Sequence, residues 1–384
     1  MEKLKNRPKI ALMSYAMDGR AAKGTALYAR KLIGGLLDDE KFDFYLVHYD
    51  KVGDPLYQKA KEIIMPRVRL PYGSKFISQL LFFWQYRKEQ FDIIHWFQPR
   101  AYPFYWFAPA RKVIVTVHGA GDVAAPVKFV FSRLVFNFVL IHFHKWINAI
   151  IVVSQNAKDE VVKHYGFPAD RVRVIYNGGG ENYQPIKKNE ARELAARKYG
   201  IEGSYILDIS RLQPHKNIVT LINAYSIMRE KDSLRLEKLV IVGWPAYKNR
   251  KDEYLAAERS PFVKDIIFIK FVKAEDLNAM YSASELFVFP SLDEGFGLPV
   301  LEAMAAGIPV ITSRAFSMSE IGNEAVTTVD PLSVNELAVA MQRVLVDKSL
   351  REKMIELGLG RAREFTWRST IEQTENLYSE IAAN

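Results

Sequence analysis

Two glutamates frame a glycine-bearing loop in the stretch FPSLDEGFGLPVLEAMAAGIPVITS, with Glu294 just before Gly295 and Gly297, and Glu302 seven intervening residues further on. The apolar run ending at Pro290 reads as a strand. Pro299 suits the first turn of a helix, where its missing N–H costs nothing. A helix opening at Leu298 or Pro299 aims unpaired N–H groups and the positive end of its dipole at the strand tip, an arrangement that holds phosphate. Gly295 and Gly297 let the backbone approach such a ligand closely. Carboxylates beside an anion binder make little sense for the anion itself, but they accept hydrogen bonds from hydroxyl-rich groups on either side of it. Cations come from a second loop, ISRLQPHKN, where Arg211 and Lys216 follow the apolar run SYILDIS and can reach the same phosphates. A diphosphate flanked by a sugar and a ribose, that is a nucleotide sugar, fits this set.

The elements that must position these residues are legible as alternating runs. KIALMSYAM, DFYLVHY, DIIHWF, KVIVTVHG, AIIVVS and VRVIYNG read as buried parallel strands in the first half, followed by SYILDIS, KLVIVGW, DIIFIKF, ELFVFPS, PVITS and AVTTVD. Helices are predicted over Gly24–Leu37, Gln155–Tyr165, Ile218–Arg229, Pro299–Ala306 and Val334–Leu345. The chain of 384 residues exceeds what one core ordinarily supports. Two doubly wound α/β domains are therefore expected, with the hinge in NGGGENYQPIKKNE near Gly178–Pro185. The divisions are 1–180, 181–365, and a helix over 366–384 that caps the second domain or crosses back to the first.

The resemblance lies in SRLQPHKN followed by the two glutamates separated by seven residues. Together with KGTALYARKL, IIVVSQNAKDEV, VIYNGG and MSEIGNEAVTTVDP, this ordered set resembles the retaining GT-B glycosyltransferases of family GT4 over nearly the whole chain, with a likeness to bacterial polysaccharide mannosyltransferases. The resemblance implies an α/β GT-B fold, two Rossmann-like domains facing across a cleft. It also implies a catalytic set of Glu294, His118, Arg211 and Lys216. Arg211 and Lys216 would hold the donor diphosphate, with Gly24 and the amides of Gly295, Phe296, Gly297 and Leu298. Glu302 would take the ribose hydroxyls, Glu294 those of the transferred sugar, and the Val272 backbone the base. Two departures stand out: Lys23 occupies a position often held by glycine, and Gly119 follows His118 where the family often has an acid.

The expected chemistry breaks the bond from the anomeric carbon to the diphosphate with retention, Arg211 and Lys216 stabilising the leaving oxygen in place of a metal. Neither a metal nor a cofactor is expected, the donor being a substrate, and GDP-mannose is the first guess for it. Absence of Cys excludes disulfides and thiolate chemistry. The opening residues lack a signal-peptide core. Residues 1–180 carry 27 Lys and Arg against 15 Asp and Glu, and the remainder 26 against 29. Three segments of the basic half mix aromatics with Lys or Arg: KFISQLLFFWQYRK, FQPRAYPFYWFAP and the stretch Lys128–Ile150, too interrupted by charge to span a bilayer. The expected setting is therefore cytoplasmic, with peripheral contact at an anionic membrane and a glycan or lipid-linked glycan acceptor. A soluble sugar acceptor and a catalytically silent nucleotide-sugar or polyanion binder are the alternatives. Nucleic acid is not expected as a partner, since no recognition motif accompanies the charge.

Overall fold

A computed structural model describes residues 7–18, 24–68, 74–97, 105–119, 144–232, 236–243, 252–315 and 317–383. The chain divides into two units, Met1–Asn177 with Trp367–Asn384, and Gly178–Thr366. Lys23 and most of the stretch 128–150 lie outside the described residues.

The first unit carries β1 (Lys9–Met13), β2 (Asp43–His48), β3 (Lys61–Ile64), β4 (Phe91–Trp96), β5 (Ala110–Val117), β6 (Ala149–Val152) and β7 (Val172–Val174), and helices α1 (Gly24–Leu36), α2 (Ser74–Tyr86) and α3 (Gln155–Tyr165). Its sheet is parallel, in the order β3-β2-β1-β4-β5-β6-β7. Central strands such as β6 are buried at every position, so they read as unbroken apolar runs. β1 is shorter than its apolar run, because Tyr15–Met17 turn away as a single 3-10 turn. One face of the sheet packs Ile10, Leu12 and Ile93 against α1 and the C-terminal helix Trp367–Ala383. That helix is fixed at Tyr378, whose hydroxyl lies 2.6 Å from His95 Nδ1, and at Thr370, which donates to the Tyr176 carbonyl at 2.7 Å. Local signals set α3: Ser154 caps its start by accepting from the Ala157 amide, and Gly166, in the left-handed region, ends it.

The second unit carries α4 (Lys188–Tyr199), β8 (Tyr205–Ile209), α5 (Ile218–Lys231), β9 (Lys238–Val242), α6 (Asp252–Arg259), β10 (Ile266–Ile269), α7 (Ala274–Ala283), β11 (Leu286–Phe289), α8 (Leu298–Ala305), β12 (Val310–Ser313), α9 (Ser317–Gly322), β13 (Thr327–Val329), α10 (Val334–Val346) and α11 (Lys348–Ala362). The parallel sheet runs β10-β9-β8-β11-β12-β13. Strand order reverses between β8 and β11, so the loops leaving these two strands diverge at one sheet edge. In open α/β sheets that crevice is where ligands bind.

Candidate functional site

The two loops at this switch point are stitched together by backbone and hydroxyl groups. The His215 carbonyl, in the loop after β8, accepts from the Leu292 amide at 2.6 Å and from Ser291 Oγ at 2.9 Å, both in the loop after β11. Asn217 adopts a left-handed conformation (φ 60°) just before α5, which lets its side-chain amide donate to the carbonyls of Pro290 and Pro331 at 3.1 and 2.6 Å. Asn tolerates this region better than most residues. Behind them, Gly243 ends β9 so close to β8 that a Cβ there would lie 1.8 Å from the Ser210 carbonyl oxygen. Only glycine fits. None of Asn217, Ser291 or Gly243 stands out by sequence type, although a glycine ending an apolar run hints at such an approach.

On this frame Lys216 and Glu294 form an ion pair, with Lys216 Nζ also 5.2 Å from the Phe289 ring centroid. Ser317, at the start of α9, donates to the Glu294 carbonyl at 2.8 Å and fixes the loop from the far side. Arg211 is exposed. Below the pair lies Asp208 at the end of β8, fully buried; Ser210 donates to its Oδ1 at 2.6 Å, while Oδ2 has no hydrogen-bond partner. Burial pushes Asp208 up to about 7, against the opposing pull of Ser210 and Lys216. Burial likewise lowers His215, helped by the neighbouring Lys216 charge.

The β11 loop ends at Gly297, the cap of α8, with φ 93°. Leu298 and Pro299 open the helix as expected, so the N–H of Leu298 belongs to the turn that lacks intrahelical acceptors. Phe296 faces the interior, edge-on to Phe365 at 5.8 Å between ring centroids, leaving its backbone as the part able to serve a ligand. Glu302 sits one turn into α8 and accepts from the Tyr281 hydroxyl at 2.8 Å, with the Tyr183 phenol beside them, edge-on to the Tyr281 ring. Burial raises its carboxyl to about 7, and the two hydroxyls pull the other way. Val272, after β10, buries its side chain, so a contact from this position runs through the backbone; the next residue back, Phe271, is 74% exposed.

The remaining expected residues belong to the first unit. Gly24 opens α1, and a Cβ there would meet no atom within 4 Å. His118 follows β5, with its Nε2 2.9 Å from the Phe97 carbonyl oxygen and its ring edge-on to Tyr28 of α1 at 4.6 Å. Tyr28 thus ties the two expected positions to one helix. Among the described residues no cluster of His, Asp and Glu has the arrangement of a metal site.

The family model "Glycosyltransferase Family 4" matches residues 22–178 and "Glycosyl transferases group 1" matches residues 191–360. The chain is 32% identical over 231 residues to the O-antigen chain mannosyltransferase B of Escherichia coli, covering 60% of each chain. It is also 32% identical over 243 residues to the D-inositol 3-phosphate glycosyltransferase of Corynebacterium glutamicum (strain R), covering 62% of this chain and 58% of that one. Each match thus spans less than two thirds of the curated relative. Among solved structures, Anabaena Alr3699/HepE in complex with UDP and glucose superposes with a TM-score of 0.78 at 17% identity, covering 97% of this chain and 100% of that one. The fold class is α/β, of the GT-B type.

Proposed function

We propose, since the chain belongs to the family 4, group 1 glycosyltransferases, that it transfers a hexosyl group with retention from a nucleotide-diphosphate sugar to a glycan or lipid-linked glycan in polysaccharide or glycoconjugate biosynthesis. The observation that carries this reading is the joint placement of Lys216, Glu294, the Gly297 turn and Glu302 at the β8/β11 switch point. The mannosyltransferase relative supports mannose as the transferred sugar, with GDP-mannose the donor in this reading.

In this reading the bond from the anomeric carbon to the diphosphate oxygen breaks and a glycosidic bond to the acceptor oxygen forms on the same face. The departing phosphate oxygen takes the acceptor's proton. Arg211, Lys216 and the Leu298 end of α8 receive the charge growing on that oxygen, as preorganised donors do best. Glu294 orients the transferred sugar and Glu302 the ribose. With Arg211 and Lys216 as cations beside the diphosphate, the chemistry needs no divalent ion. His118 and Gly24 serve the donor from the first unit.

Peripheral membrane contact belongs to the same proposal. No helix among the described residues is long and apolar enough to cross a membrane. The first unit nevertheless exposes Trp84 and Trp146, each with a cation over its ring, Arg87 at 4.4 Å and Lys145 at 5.5 Å. Such pairs suit an anionic lipid surface. The inositol-phosphate relative favours a second reading, a small soluble acceptor.

Thermal unfolding against UDP, GDP and dTDP sugars tests the donor claim. A true ligand at a hundredfold over its Kd adds about 2.7 kcal/mol, and no stabilisation by any of them would sink it. Release of nucleoside diphosphate on adding acceptor separates an enzyme from a silent binder, and sedimentation with anionic against neutral vesicles tests the membrane contact.

A further inference from the structure

Glu302 is held by two phenols from different parts of the second unit. Tyr281 lies on α7, is fully buried, and donates to Glu302 Oε2 at 2.8 Å. Tyr183 lies in the segment between Gly178 and α4 and packs edge-on to Tyr281 with ring centroids 5.6 Å apart, which brings its phenol beside the same carboxyl and into its electrostatics. The Tyr281 ring is fixed in turn against Phe287 of β11 at 5.2 Å. A carboxylate offers about four acceptor positions. The Tyr281 hydroxyl occupies one, which leaves room for a vicinal pair of hydroxyls.

We propose that Tyr183 and Tyr281 are positioning residues that aim the Glu302 carboxylate at the two ribose hydroxyls of the bound nucleotide. The proposal rests on the ribose role given to Glu302 above. Burial drives Glu302 toward the protonated form, and the two phenols are the groups that oppose it. Among the described residues, Asp208 also acts on this cluster, through Tyr281. A protonated Glu302 loses acceptor positions, so ribose binding weakens as pH falls through about 7. Removing a phenol hydroxyl withdraws an interaction that favours the ionised form, and the weakening then sets in at higher pH.

The experiment measures affinity of the full chain for UDP and GDP by calorimetry between about pH 5.5 and pH 9. The wild type is expected to show a midpoint that Tyr183→Phe and Tyr281→Phe each move up by about one unit, equivalent to roughly fivefold weaker binding at pH 7. Glu302→Gln should remove the component that the phenol variants move and leave that of the diphosphate and Asp208, since an amide does not titrate here. A purely structural role for the phenols would lower affinity equally at every pH, and an unmoved midpoint in a variant that unfolds like the wild type overturns the proposal. Tyr183, only partly buried, keeps the test open if Tyr281→Phe fails to fold. The 2′-deoxy nucleotides separate the two levels. If they bind as well as the ribonucleotides with the same pH dependence, the ribose role of Glu302 fails; if they bind weakly and the phenol variants leave the midpoint in place, only the present inference does.

Discussion

Lys216 and Glu294 meet as an ion pair between the loops that leave β8 and β11, with 13% and 17% of their side chains exposed. In the free site, Lys216 therefore has its carboxylate partner where the proposed donor brings phosphate. Replacing Lys216 by Ala removes the phosphate cation and leaves Glu294 with the Ser291 hydroxyl but no cation, near buried Asp208. Nucleoside diphosphate affinity is expected to fall roughly tenfold to a hundredfold, the range for losing one charged hydrogen bond. Glu294→Ala removes only the internal competitor for Lys216, so free nucleoside diphosphate should bind as well as before while sugar transfer is impaired. Calorimetry beside a product-release assay checks both. Equal loss of affinity in the two variants would contradict the roles assigned.

Burial of Asp208 gives the second unit a pH dependence whose sign can be worked out. Its folded value, about 7, lies above the ordinary 3.8 because burial penalises the charge. From about pH 4 to about pH 7 the folded chain retains a proton that the unfolded chain has released, so this group's contribution to stability falls as pH rises across that window and is level above it. Asp208→Asn cannot ionise, and its amide oxygen can still accept from Ser210. The variant's stability relative to wild type should rise from pH 4 to pH 7, on the order of a few kcal/mol in total, and its melting temperature with it. Parallel curves in differential scanning calorimetry would show that Asp208 is ionised throughout.

Two glycines expected to serve the donor make opposite demands on the free chain. Gly297 has φ 93°, and a Cβ would sit 3.3 Å from Met318 Cγ. Gly297→Ala should destabilise by about 1–3 kcal/mol and weaken nucleotide binding as the turn shifts. Gly24 meets nothing within 4 Å and opens a helix, so Gly24→Ala should leave unfolding unchanged. Lost transfer in that variant then reports crowding of the ligand itself. Full activity of Gly24→Ala would remove Gly24 from the donor site.

The sequence made most strands legible because parallel strands buried on both faces show as apolar runs, as in β6 and β11. β3 was not legible: in KEII only Ile63 is buried, at the edge of the sheet, so no run marks it. Glu294, Glu302 and Lys216 could be picked out by charge type and spacing beside a glycine turn. Tyr183 and Tyr281 could not. They stand in separate segments with no spacing relation to Glu302, and a phenol shows its acceptor only once the chain is folded. Asp208 hides for a related reason, since within SYILDIS it reads as one more strand position and only the sheet's burial makes its charge costly.

The C-terminal helix gives a stability prediction in the first unit. Tyr378 is fully buried, and its hydroxyl, His95 and Thr116 form a chain, His95 Nε2 lying 2.7 Å from Thr116 Oγ1. Burial, with the nearby His118, lowers His95 to about 3, so the imidazole is neutral and each ring nitrogen needs one partner. Tyr378→Phe keeps the ring in its apolar site against Phe42 and strands His95 Nδ1. The expected cost is about 1–3 kcal/mol, that of an unsatisfied buried polar group. Ser379→Ala, exposed on the same helix and bonded only to the Glu375 carbonyl one turn back, should stay within about 0.5 kcal/mol of wild type. Urea unfolding of both variants distinguishes them. If Tyr378→Phe proves as benign as Ser379→Ala, the His95 chain adds nothing to the docking of the helix, which apolar burial and the Thr370–Tyr176 hydrogen bond then supply.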